Sequence, residues 1–351
     1  MSKLQYKYKD SADDWKILWR NVLRAAQYTT NFTRDFSPIY DQKQDLYYSA
    51  EHIDIQPVDF GGIEGIQYLD QGQLWELDGF GTLIKELQKN SYQAGVNLFG
   101  FPYDFRLAGA QQVLTNGMFD KLKQLIEQAS KTNKQGGNSN RVHLLGHGLG
   151  CLFINHFLAD FVTEQWKAQF IESFISVSGP YGGNVGVFGQ LAGLKEWNLL
   201  PSISAFETEL LTNALAGLYW QLPNQNIPFA STPYTNEGNY EKQSNDLPIV
   251  AYVKCKNATL TAKNMTWAFT TTGRFQQAAS LSKAVSAQTE LKAPNVSAHI
   301  FIAYSIDKAS LNRSPQFMKK IYRKKKISDE LSDEKATTPV QILFNGVDGL
   351  H

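Results

Sequence analysis

The chain alternates between stretches with a helical apolar period and short apolar runs of strand length. Ser11 to about Tyr28 predicts an amphipathic helix: Ser11 and Asp14 form a capping-box pattern, and Trp15, Leu18, Val22 and Ala26 follow at three- and four-residue spacing. Asn31 to Pro57 is irregular, polar and aromatic, and is expected to be loop or cap. Leu83, Ile84 and Leu87 mark a second helix, and Val96 to Gly100 a short strand stopped by Pro102. Leu114 to Ser130 predicts a helix with Met118, Leu122, Leu125 and Ile126 on one face, and Lys131 to Asn140 a surface turn. Val142 to Leu145 reads as strand and Leu152 to Val162 as buried helix. Phe174 to Val177, Ile249 to Val253, His299 to Ala303 and Val340 to Phe344 complete the strands. Strands interleaved with helices predict an α/β fold with a mostly parallel sheet. Gly182 to Pro248 has few strand signals but carries Trp197, Leu199, Leu200, Leu211, Leu218, Tyr219 and Trp220. It fits either an inserted cap or an ordinary helical insertion packed on the sheet.

Composition narrows the possibilities. Of 351 residues, 42% are hydrophobic, ample for a large core. The net charge is +1, from 34 basic and 33 acidic side chains. There is no global field to hold nucleic acid, so any lipid or partner must be recognised by local surface. The basic cluster from Lys319 to Lys326 is followed by acidic residues up to Glu334; it fits a solvated loop or an anionic-lipid contact. No apolar run is long enough to span a bilayer, and MSKLQYKYKD lacks the apolar stretch of a signal peptide. N-x-S/T sequons at Asn31, Asn257, Asn264, Asn295 and Asn312 suit a secretory-pathway glycoprotein, or arise by coincidence in an Asn- and Thr-rich chain. The two cysteines, Cys151 and Cys255, make neither a C-x-x-C nor a disulfide framework, and the six histidines show no H-E-x-x-H spacing. No metal or other cofactor is expected.

The chemistry concentrates in RVHLLGHGLGCLFINHFL, Arg141 to Leu158. A strand runs directly into Gly146-His147-Gly148-Leu149-Gly150 and then into an apolar helix, the pattern of a nucleophile elbow. In such a turn the outer glycines let strand and helix pack closely. The central residue aims its side chain out of the sheet, and the amide after it, here that of Leu149, faces an oxyanion. The central residue is Gly148, which has neither hydroxyl nor thiol. His147 cannot activate an atom that is absent. A dinucleotide loop would need G-x-G-x-x-G, and the residue three beyond Gly148 is Cys151.

The segments around this turn resemble the family of lecithin:cholesterol acyltransferase, its lysosomal phospholipase relative and the phospholipid:diacylglycerol acyltransferases. GFPYDFRLAG, Gly100 to Gly109, is similar to that family's PYDWR segment, with Phe105 for Trp. The elbow is similar to its V-x-L-x-G-H-S-L-G-C, matching at Gly146, His147, Leu149, Gly150 and Cys151. FISVSGPYGG, Phe174 to Gly183, is similar to its FISLGAPWGG. Fainter likenesses lie at Gly65 to Asp70, Trp220 to Pro223, Asn257 to Thr259 and Pro294 to Tyr304.

The resemblance implies an α/β-hydrolase fold with helices on both faces of the sheet. It implies one domain over residues 1–351, with a lid or cap region at about 1–60 and a cap insertion at about 184–248. It also implies a Ser-Asp-His triad that takes an acyl chain from a phospholipid. The nucleophile position falls on Gly148. The acid falls on Asp348 in ILFNGVDGLH, which resembles the family's strand followed by G-D-G-D-G-T-V. The family's histidine comes some tens of residues later, beyond His351, and its P-G-x-x-G-S/N oxyanion turn precedes residue 1. The first strand, the base and half the oxyanion hole are therefore expected to be missing. The lid cysteines expected near Trp15 to Phe36 are also absent. By resemblance the ligand is a phospholipid or other acyl lipid, met at a membrane or lipoprotein surface in the secretory pathway, lysosome or extracellular space. Nothing identifies a protein partner. The expectation is an O-acyltransferase or phospholipase relative that has lost its activity, a pseudoenzyme that binds a lipid or a partner; the alternative is an active phospholipase or acyltransferase whose sequence here is truncated and altered at position 148.

Overall fold

A computed structural model describes residues 2–41, 43–44, 46–70, 78–107, 117–132, 140–184, 187, 191, 203–222, 249–253, 258–261, 294–301 and 341–345. The chain opens with strands β1 (Leu4–Tyr8) and β2 (Lys16–Trp19), then helices α1 (Val22–Gln27) and α2 (Thr29–Phe36). A hairpin of β3 (Ile39–Asp41) and β4 (Leu46–Tyr48) leads to β5 (Ile53–Pro57). β1 pairs antiparallel with both β2 and β5.

This corrects the helix expected over Ser11–Tyr28. Leu18 and Trp19 are both buried in a strand edge-on to Leu4–Tyr6, while Trp15 is 38% exposed. Antiparallel pairing with the neighbouring strand β1 has overridden the helical period. Ser11 does not cap a helix; its Oγ accepts the Asp13 amide in a local turn. The helix starts at Val22 instead, where the Asn21 side chain accepts the Arg24 amide at 2.9 Å. The stretch from Asn31 to Pro57, expected as loop or cap, contains most of α2 and all of β3, β4 and β5. Helix α2 buries Phe32 and Phe36, whose rings stack at 5.5 Å.

Asp35 of α2 is fully buried and draws this region together. The Tyr8 hydroxyl donates to its carboxylate at 2.6 Å, Arg24 at 2.7 Å and Arg34 at 2.9 Å, and His52 Nε2 lies at 2.9 Å. Burial alone would raise the carboxyl, but the hydrogen bonds from Tyr8, His52 and Arg34 outweigh it and hold it below the ordinary carboxylate range. A group with a depressed folded-state pKa contributes stability that is fully present above its unfolded value, near about 4, and is lost as pH falls through the folded value. Denaturant melts from pH 7 down to pH 3 should therefore show a falling acid limb. Asp35→Asn should flatten that limb while lowering stability at pH 7.

Beyond β5 come α3 (Glu64–Gln67), α4 (Gly81–Lys89), β6 (Leu98–Phe101) and α5 (Met118–Thr132). Then follow β7 (Val142–His147), α6 (Leu149–His156), a π-helical turn at Phe157–Phe161, α7 (Glu164–Phe170) and β8 (Ile171–Val177). The sequence reading anticipated each of these segments except α3 and α7. Helices α8 (Ala205–Ala214) and α9 (Ala216–Tyr219) lie in the long excursion. Strands β9 (Ile249–Val253), β10 (Ala258–Thr261), β11 (Ala298–Phe301) and β12 (Gln341–Asn345) complete the described elements.

The largest sheet has the order β11-β8-β7-β12-β6, and every neighbouring pair is parallel. Its strands are apolar, as strands covered on both faces must be: Val142, Leu144 and Leu145 of β7 and Phe174 of β8 are buried. Phe119 of α5 sits in an aromatic cluster with Phe153 of α6 and with Phe157 and Phe161 of the π-helical turn, at ring separations of 5.2, 5.5 and 5.4 Å. Helices α5 and α6 both pack on β7. The elbow between β7 and α6 is thus fixed from below by the core.

Candidate functional site: a glycine at the strand-to-helix elbow

Strand β7 ends at His147 and α6 begins at Leu149, so Gly148 alone makes the turn. Its φ of 56° and ψ of −128° fall in a region that residues with a side chain rarely adopt. Its amide donates to the Val177 carbonyl of the neighbouring strand at 3.0 Å, and its own carbonyl accepts the Cys151 amide at 2.9 Å. Gly146 is where strand and helix meet. A Cβ there would lie 3.1 Å from the Cys151 nitrogen and 3.1 Å from Ile154 Cδ1. Leu149 and Gly150 are buried, and buried His147 meets Phe80 edge-on at 6.5 Å.

Around this turn the groups are polar but interlocked. The Cys151 thiol donates to the Val177 carbonyl at 3.4 Å, and the Ser176 and Tyr181 hydroxyls share a hydrogen bond of 2.8 Å. Burial, then the nearby Cys151, pushes the Tyr181 phenol far up, so it stays protonated. Among the described residues no group of three His, Cys, Asp or Glu side chains could hold a metal ion. No helix there is long and apolar enough to cross a membrane.

Two further segments close over the elbow. Residues 216–222 belong to the long excursion. The Gly217 amide donates to the Arg106 carbonyl at 3.3 Å, and a Cβ on Gly217 would lie 3.3 Å from Leu149 Cδ2. Trp220 packs against Phe153 and His156 of α6, each at 5.9 Å. Asp104 and Arg106 hold the loop after β6: Arg106 Nε and an Nη donate to the two Asp104 oxygens at 2.8 and 2.6 Å, with both residues buried.

The structure thus brings Gly146, His147, Gly148, Leu149 and Gly150 together at one strand end. Asp348 lies outside the described residues, as do His351, Cys255, the basic cluster at 319–326 and the sequons at Asn257, Asn264 and Asn312. Asn31 and Asn295 are both exposed. The sequence reading passed over Asp35 and Ser178. Ser178 carried a signal: it stands where the FISLGAPWGG pattern has a glycine.

A strand, a single glycine at positive φ and a helix on a parallel sheet define the turn of an α/β hydrolase. The chain belongs to the lecithin:cholesterol acyltransferase family, matching it over residues 16–342. It is 28% identical over 253 residues to Lecithin-cholesterol acyltransferase-like 1 of Arabidopsis thaliana, covering 67% of this chain and 56% of that protein. It is 30% identical over 205 residues to the mouse phosphatidylcholine-sterol acyltransferase, 56% of this chain and 44% of the relative. It is 25% identical over 224 residues to the bovine lysosomal phospholipase A and acyltransferase, 63% and 52%. The alignments span about half the length of these relatives.

Proposed function

We propose that this chain binds an acyl lipid over the elbow and does not turn it over by a seryl route. The observation that carries the reading is Gly148, a residue without a side chain at φ 56° at the apex of the turn, where the resemblance puts the family's nucleophile. Acyl transfer through a covalent intermediate needs a hydroxyl or thiol at the reacting atom, and loss of the nucleophile alone removes most of a triad's rate. In this reading the Leu149 amide keeps the oxyanion position, Gly146, His147 and Gly150 keep the turn, and Asp348 is a structural carboxylate. Residues at about 184–248 act as the cap, supported by the approach of Gly217 to Leu149. Helices cover both faces of the sheet.

A lipid surface is the expected source of the ligand. Phe206, 69% exposed, and Leu210 lie one turn apart on α8, and exposed Tyr28 precedes α2. These two helices touch, with Thr30 Oγ1 donating to Glu207 at 3.3 Å. Such exposed aromatic and aliphatic groups on neighbouring helices suit an apolar interface. The proposed location is the secretory pathway or a compartment it feeds, as the name of the bovine lysosomal relative suggests.

The competing reading is an active phospholipase or acyltransferase, which the names of the relatives favour. Purified protein should carry acyl lipids detectable by mass spectrometry and should hydrolyse a short-chain p-nitrophenyl ester no faster than buffer. Turnover that tracks with the protein would establish the competing reading. A lipid-free protein that takes up no phosphatidylcholine would remove the binding role.

A further inference from the structure

Strand β8 ends at Val177, which stands opposite His147 in the parallel register. The Val177 carbonyl accepts both the Gly148 amide and the Cys151 thiol, at 3.0 and 3.4 Å. Two residues on, a Cβ at Gly179 would lie 2.8 Å from Cys151 Cβ, so the chain there is pressed onto the elbow helix. Ser178 is held between these contacts. One peptide unit from the Val177 carbonyl puts its Cα within about 6 Å of the Gly148 nitrogen.

Ser178 has φ +52°, a left-handed backbone that glycine adopts readily and a residue with a Cβ does not. Set beside the family's segments, the two strand ends have exchanged residues. Position 148 has glycine where the elbow pattern has serine. Position 178 has serine where FISLGAPWGG has glycine. The glycine at 148 relieves strain at the apex, and the serine at 178 introduces it next door. Strained non-glycine residues persist where the side chain serves a purpose and the surroundings enforce the backbone. Ser178 is half-exposed and sits at the carboxyl end of a parallel sheet, where α/β proteins take their ligands.

We propose that the Ser178 hydroxyl receives the ester of the bound lipid by donating a hydrogen bond to its carbonyl oxygen, an inference that rests on the lipid-binding reading above. The role is binding rather than attack. His52 pairs with Asp35 and His156 with Asp160, and neither of these imidazoles is bonded to Ser178. A serine hydroxyl without a base stays protonated near neutral pH and is a poor nucleophile, yet it remains a full hydrogen-bond donor. The ligand class is therefore an ester-linked acyl lipid, distinguished from its ether-linked counterpart by the carbonyl oxygen.

The test uses the whole chain, with dihexanoylphosphatidylcholine and its diether analogue as probes and calorimetric titration as readout. Wild-type protein should bind the ester more tightly than the ether. Ser178→Ala keeps the Cβ and its strain but lacks the hydroxyl. It should weaken ester binding about fivefold, the scale of one neutral hydrogen bond, and leave ether binding unchanged. Ser178→Gly should show the same loss of ester preference together with a higher melting temperature. If wild type and Ser178→Ala bind the ester equally, the hydroxyl assignment is wrong and the lipid-binding reading survives. If wild type binds neither probe, both fall. A Ser178→Gly variant that folds and melts no higher than Ser178→Ala would show that the backbone is unstrained and remove the premise.

Discussion

Arg106→Ala should lower unfolding stability by about 3–5 kcal/mol, the range for removing one partner of a buried ion pair. The guanidinium is 1% exposed and grips both Asp104 oxygens. It also donates to the Phe36 carbonyl at 2.8 Å and the Ser49 hydroxyl at 3.2 Å, and lies 5.7 Å over the Phe36 ring. Truncation removes the guanidinium from beside the buried Asp104 carboxylate and breaks the tie to α2. The figure describes breaking the pair, since a whole buried pair can be worth little against an apolar replacement. Lysine should not rescue, because an ammonium cannot present the planar fork that meets both oxygens. Urea melts at pH 7 measure the effect. An unchanged midpoint combined with loss of lipid binding would assign this pair to the ligand rather than to the fold.

Gly148→Ser should cost about 1–3 kcal/mol, the usual range for a non-glycine residue held in a sparsely allowed region, and should restore no catalysis. At φ 56° and ψ −128° the apex is fixed on both sides by the Val177 and Cys151 hydrogen bonds, so the backbone cannot relax without breaking them. Enzymes keep serine in such a turn because the strain aims the nucleophile. Here the new hydroxyl would need a base, and the imidazoles of His52 and His156 are already engaged with Asp35 and Asp160. A denaturant melt and an ester assay on one variant decide both points. Equal or greater stability would mean that the turn is not strained. Turnover would mean that His147 or another group serves as base, and the non-catalytic reading would fail.

The parallel sheet was legible because its strands are short apolar runs bounded by glycine and proline, and because the elbow compresses strand, turn and helix into ten residues, Val142 to Cys151. The N-terminal region was not. Its strands are stabilised by partners far along the chain, Leu4 with Pro57 and Tyr8 with Ile53, so a window of sequence contains only half of each interaction. The alternation in Ile53-Asp54-Ile55-Gln56 was a readable strand signal, with Ile53 buried and Asp54 and Gln56 exposed. Asp35 looked like one more acidic residue in a polar stretch, because its environment is built from Tyr8, Arg24, Arg34 and His52, up to 27 residues away. At the site the sequence located the strand-to-helix turn at Gly146 to Gly150. It did not weigh Ser178, because a left-handed serine looks like any other serine until the backbone angle is known.

The grip of Arg106 on Phe36 and Ser49 spans the β3–β4 hairpin, one contact on either side of it. Strands β1 and β5 bracket the same interval at longer range. A protease that cut the chain at the exposed Lys43 or Gln44 would therefore make two polypeptides and still leave one folded particle. The amino-terminal fragment would remain docked through the sheet and the guanidinium, visible as a nick on a denaturing gel and invisible to gel filtration.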